Sequence, residues 1–143
     1  MSFYTCLIVM AGGALGTFAR YAVSILAIPI SRGLPWGTII INITGSLMIG
    51  FFSTLTLASG RFPISDNMRL FVIVGFCGGY TTFSSFSLQT LELLRMGSVV
   101  RACINVAASI VLCIGAVAVG HFVATWINSG APDVAQAVIE EQA

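Results

Sequence analysis

The chain has 143 residues, 57% of them hydrophobic and only 8% charged, with mean hydropathy +1.01 and a formal net charge of +1. A soluble domain carries charge on roughly a quarter of its residues, so a water-facing globule is excluded, and the near-neutral balance gives no nucleic-acid signal. The cysteines, Cys6, Cys77, Cys103 and Cys113, all lie inside apolar runs without zinc-like spacing and read as small packing residues.

Four apolar segments each reach the length of about 20 residues that spans a bilayer core. They are predicted over about 4–28, 36–57, 70–94 and 102–127, within a single four-helix transmembrane domain over 1–128. The first lacks a basic n-region and is too long for a signal peptide. Ser31-Arg32-Gly33-Leu34-Pro35 makes the first turn, and Trp36 and Trp126 fall near segment ends, where interfacial aromatics belong. The longest loop is Ser59–Met68, with Ser65 or Asp66 placed to cap the third helix. Arg95-Met96-Gly97-Ser98 closes that span, and residues 129–143 form a short acidic tail. Gly12-Gly13-x-x-Gly16 and Gly45-x-x-x-x-Gly50 put small residues on helix faces, where they let membrane helices approach closely.

The third segment departs from a plain membrane helix. Gly75-Phe76-Cys77-Gly78-Gly79-Tyr80-Thr81-Thr82-Phe83-Ser84-Ser85-Phe86-Ser87 puts glycines and hydroxyls where Leu, Ile and Val would serve an anchor. Glycine weakens a helix, so a break is predicted near the middle of this span, at Gly78-Gly79. Polar groups and freed backbone at bilayer depth line a cavity or are buried in protein. The segment therefore reads as a site.

Helical rise gives depth. Arg20, Asn42, Phe86 and Ser109 each lie about 6–7 Å from the middle of their spans toward one side, and Phe83 lies near the middle of its own. Polar or special groups from four spans thus crowd one half of the membrane. Basic residues show almost no side bias: Arg61 and Arg69 flank one face, and Arg32, Arg95 and Arg101 the other. The positive-inside rule then fixes no orientation. Insertion both ways up would permit an antiparallel homodimer, whose symmetry supplies the missing half of a pathway.

Each candidate residue has a functional and a bland reading. Phe83 and Phe86 share a helix face and can present positive ring edges to a small anion, or simply pack. Asn42 offers an uncharged N–H donor suited to weak, multiple ion sites, or an interhelical hydrogen bond. Thr82, Ser84, Ser85, Ser87 and Ser109 can donate O–H groups or bond back to their own helix. Arg20 can draw anions into a vestibule or snorkel to the interface. Carbonyls freed at the break can coordinate a hard cation such as sodium, or a structural water. Glu92 reads as interfacial, and His121 has no evident partner. No hydrolase triad, metal cluster or phosphate loop is present, so no enzyme is expected.

With these motifs in hand, residues 3–128 resemble the Fluc (CrcB) fluoride channels of microbes. The matching pieces are Gly12-Gly13-Ala14-Leu15-Gly16-Thr17-Phe18-Ala19-Arg20-Tyr21, then Gly37-Thr38-x-x-x-Asn42-x-x-Gly45-Ser46, then the Gly75–Ser87 run, then Asn105 with Ser109. The resemblance implies an antiparallel, dual-topology homodimer with two fluoride pores in the cytoplasmic (inner) membrane, exporting fluoride that enters as HF. It implies pores lined by Phe83 and Phe86, with donors from Asn42, Thr82, Ser84 and Ser109, and Arg20 at the vestibule. A structural sodium ion would lie at the dimer centre on the carbonyls of Gly78 and Thr81. Two positions depart from the family pattern: Gln89 stands where many relatives have a Glu, and Asn105 where some have a Tyr. A four-helix multidrug transporter is a poorer fit, because proton-coupled cation export needs a carboxylate deep in a span. A purely structural subunit would leave the donors clustered at one depth unexplained.

Overall fold

The computed structural model describes residues 2–57 and 60–129. The acidic tail, beyond Ser129, lies outside the described residues. The described chain is all-helical, and four stretches are long and apolar enough to cross a bilayer: Phe3–Leu26, Trp36–Leu55, Asp66–Arg95 and Val99–Asn128.

Helix α1 (Phe3–Leu26) ends at Ala27, where Pro29 forces a short 3-10 turn over Ile28–Ile30. Ser31 ties this turn to the next helix. Its Oγ donates to the Ala27 carbonyl at 2.8 Å and accepts from the Gly37 N–H at 3.3 Å. Helix α2 (Trp36–Leu55) follows. Ser65 caps the third span by accepting from the Met68 N–H, and Asp66, in the first turn of the short α3 (Asp66–Arg69), places its negative charge at the positive end of the helix dipole.

The third span then winds as a π-helix over Leu70–Cys77 and as α4 over Gly78–Tyr80. Thr81 (φ −77°, ψ 158°) and Thr82 (φ −153°, ψ 111°) are extended, and α5 (Phe83–Arg95) begins after them. The sequence placed the break at Gly78-Gly79. Both glycines are instead helical, and the extended pair comes three positions later. Gly79 serves close packing: a Cβ there would stand 2.5 Å from the Gly13 carbonyl oxygen. Gly97, at φ +72°, closes α5 with a left-handed turn, and α6 (Val99–Asn128) completes the chain.

Two helix pairs hold the fold: α1 lies on the π-helix and α4, and α2 lies on α6. Both seams bring backbones together. A Cβ at Gly16 would collide with the Phe76 carbonyl, and one at Gly50 with the Val117 carbonyl. Dispersion between close backbones replaces the hydrophobic drive that lipid does not supply. At the end of α2 and α6, buried Asn128 donates to the Thr54 carbonyl at 3.0 Å and accepts from the Arg61 N–H at 3.1 Å. His121, for which the sequence offered no partner, bonds through Nδ1 to Thr54 Oγ1 at 2.8 Å. The two residues are 67 positions apart, so only the α2–α6 pairing brings them together.

Candidate functional site

The interruption at Thr81-Thr82 would leave unpaired backbone inside the membrane. Asn42 on α2 resolves this. Its Nδ2 donates to the Thr82 carbonyl at 3.0 Å, and its Oδ1 accepts from the Thr82 N–H at 2.8 Å. One side-chain amide thus pairs both backbone groups of a residue 40 positions away. An amide nitrogen carries two hydrogens, so a second N–H remains for another acceptor.

Thr82 in turn starts α5. Its Oγ1 accepts from the Ser85 N–H at 3.2 Å, donates to Ser85 Oγ at 3.0 Å and lies 3.2 Å from Ser84 Oγ. These bonds have a consequence one turn back. The Thr82 and Ser85 N–H groups would close helical bonds on the Gly78 and Thr81 carbonyls. They are engaged by Asn42 Oδ1 and Thr82 Oγ1 instead. Two carbonyl oxygens are thereby released from those donors, and Gly78 is exposed with open space at its Cβ position.

Around this junction lies a cavity of about 350 Å³ between α2, α5 and α6. Asn42, Thr81, Thr82, Phe83, Phe86 and Ser109 contribute to its wall. The two phenyl rings sit with centroids 5.3 Å apart and planes inclined at 47°. Phe86 is half-buried, whereas Phe83 is 79% exposed in the single chain. Ser84 is exposed and stands outside the wall, its hydroxyl turned to Thr82. Ser87 bonds back to the Phe83 carbonyl at 2.9 Å.

Arg20 is half-buried and lines a second cavity of about 400 Å³ with Thr38, Thr82, Ser85 and Gln89. No acid lines this chamber; hydroxyls and one amide surround the guanidinium. Thr82 lines both cavities.

Two further residues belong to the surroundings. Ser46 lines the first cavity, one turn along α2 from Asn42. That i, i+4 spacing was a usable signal in the sequence. Asn105 is fully buried and donates to Thr90 Oγ1 at 2.8 Å, and Thr90 donates to the Phe86 carbonyl at 2.7 Å. Asn105 thus braces the helix that carries Phe86 and is not part of the cavity wall. The cysteines are all free thiols, and the described residues contain no group of His, Cys, Asp or Glu placed to hold a metal.

Comparison with known proteins gives concordant matches. The family model described as "CrcB-like protein, Camphor Resistance (CrcB)" matches residues 7–121. A Methylobacterium radiotolerans protein named "Fluoride-specific ion channel FluC" is 69% identical, with 99% of each chain covered. A protein of the same name from Gluconobacter oxydans is 67% identical over the full length of both chains. A third, from Methylocella silvestris, is 53% identical over 84% of this chain and 92% of its own.

Proposed function

This chain belongs to the CrcB family, and on that premise we propose that it is a fluoride-selective channel, not an enzyme, in the cytoplasmic membrane. It lets fluoride leave the cell passively and so lowers cytoplasmic fluoride. The observation that carries the reading is the cavity bounded by Asn42, Phe83, Phe86 and Ser109, which shares Thr82 with the Arg20 chamber. The names of its relatives support fluoride as the ion.

The chemistry suits a small, strongly hydrated anion. Conduction needs contacts strong enough to replace water and weak enough to release the ion. The spare N–H of Asn42, the Ser109 hydroxyl and the positive edges of Phe83 and Phe86 are such contacts, and none carries full charge. Thr82 lines both cavities, and Ser84, outside their walls, bonds to the Thr82 hydroxyl. Arg20, with full charge, stands one chamber away, where it attracts anions without trapping them in the narrow part.

The working unit in this reading is an antiparallel homodimer with two pores. One chain offers its polar groups in one half of the membrane, and a copy inserted the other way up supplies the second half. The exposed Phe83 and the apolar outer face of α6, with Ile110, Val111 and Ile114, are surfaces such a copy or lipid would cover. The carbonyls of Gly78 and Thr81, released from their helical donors, fit a hard cation such as sodium. Two oxygens from each chain would hold it at the dimer centre, where it would supply structural cross-linking.

Purified protein in liposomes, with fluoride efflux followed by an ion-selective electrode, tests the function. Fluoride efflux with little chloride efflux is the expected result. Absence of fluoride efflux, or equal chloride efflux, would sink the proposal.

A further inference from the structure

A third cavity, of about 410 Å³, lies where the α1–α2 turn meets the end of α5 and the start of α6. Arg32, Arg101 and Glu92 line it, and all three are exposed. It shares Ser24, Thr38 and Gln89 with the Arg20 chamber. That chamber shares Thr82 with the Asn42–Phe86 cavity. Three cavities with shared wall residues thus lie side by side from an exposed, charged opening to the two phenylalanines.

We propose that the Arg32–Arg101 cavity is an electrostatic mouth that gathers small anions from water and feeds them to the Arg20 chamber, with Glu92 opposing it and setting its strength. The inference deepens the channel reading and rests on it. Two cations against one carboxylate leave the opening net positive, and low-dielectric walls focus such a field into a cleft. The charges are exposed, so they raise local anion concentration without holding any one ion. The wall shared with the Arg20 chamber carries a neutral amide at Gln89. The one carboxylate of this region, Glu92, thus lies on the mouth side of Gln89, and none lines the Arg20 chamber.

A charge at about 10 Å in water changes local ion concentration about two-fold when salt is low. The Debye length is about 30 Å at 10 mM and about 3 Å at 1 M. Initial fluoride efflux from liposomes holding the full chain would be compared at these two ionic strengths, relative to a conducting wild type. The double variant Arg32→Gln, Arg101→Gln is expected to conduct about four-fold less at 10 mM and equally at 1 M. Glu92→Gln is expected to conduct about two-fold more at 10 mM and equally at 1 M. Unchanged efflux at low salt in both variants, or a deficit that persists at high salt, would overturn the mouth. If the double variant does not reconstitute, Glu92→Gln decides alone, because misfolding cannot produce a gain. A wild type that conducts no fluoride would overturn the channel reading itself, a result distinct from the variants matching a conducting parent.

Discussion

Replacing Asn42 with Ala tests the pairing on which the site is built. The substitution removes the acceptor for the Thr82 N–H and the donor for the Thr82 carbonyl, bonds of 2.8 and 3.0 Å. Thr82 is 7% exposed, so water has little access to replace them. Each buried backbone group left unpaired costs about 1–3 kcal/mol. The expected destabilisation of Asn42→Ala is then about 2–6 kcal/mol. Asn42→Asp keeps an acceptor for the Thr82 N–H; ionised, it loses the donor, about 1–3 kcal/mol, and adds the cost of a buried charge. Hydrogen exchange at the Thr82 amide isolates the local effect. In the wild type this amide, bonded to Asn42 Oδ1, should be protected. In Asn42→Ala its exchange should accelerate about ten- to a hundred-fold, whereas in Asn42→Asp protection should largely remain. Equal protection of Thr82 in the wild type and Asn42→Ala would refute the reasoning, whatever happens to the flux.

Four other outcomes are expected. Phe83→Ile or Phe86→Ile should lower fluoride flux about tenfold, the factor that about 1.4 kcal/mol represents, without loss of folded protein on size exclusion; unchanged flux would remove the ring-edge contact. Gly16→Ala puts a methyl into the Phe76 carbonyl and should destabilise the fold by about 1–3 kcal/mol or more, read as a lower midpoint in denaturant; wild-type stability would show that the α1 seam is loose. Thr54→Val removes the partner of His121 Nδ1 and should cost about 1–3 kcal/mol while leaving flux per folded channel unchanged, since Thr54 lies beyond the cavity wall on α2; lost flux at normal stability would place it in the pathway. Tags on one terminus should be reachable from both membrane faces, and labelling from a single face would exclude dual insertion.

Much of the architecture was legible because hydropathy over about 20 residues is a strong signal in lipid. The helix-starting role of Ser65 was also legible, since capping is local. The position of the break was not. Paired glycines read equally as weak helix or as close packing, and what decides is Gly13 on another helix. The sequence singled out Asn42, but its tie to Thr82 spans 40 residues and leaves no local trace. The same holds for His121 and Thr54. Gln89 was noted only as a departure from relatives; its place between two chambers depends on how α5 meets the α1–α2 turn. Ser46 stood in the matched motif without a role, although its spacing from Asn42 pointed to the cavity wall.

The glycine seams bear on how ions can cross. Where helices meet through backbone, no side chains stand between them that could re-pack into a second arrangement. Sliding α1 along its partner would drive Cβ atoms into the carbonyls that Gly12 and Gly16 now accommodate. A carrier that rocks between inward- and outward-open forms needs packed faces with two discrete fits, and close backbone contact at these glycines disfavours a second. Traffic through this protein would then be limited by how readily an ion sheds its water at a standing wall. Its temperature dependence should be shallow, like that of diffusion, with no steep conformational barrier in each crossing.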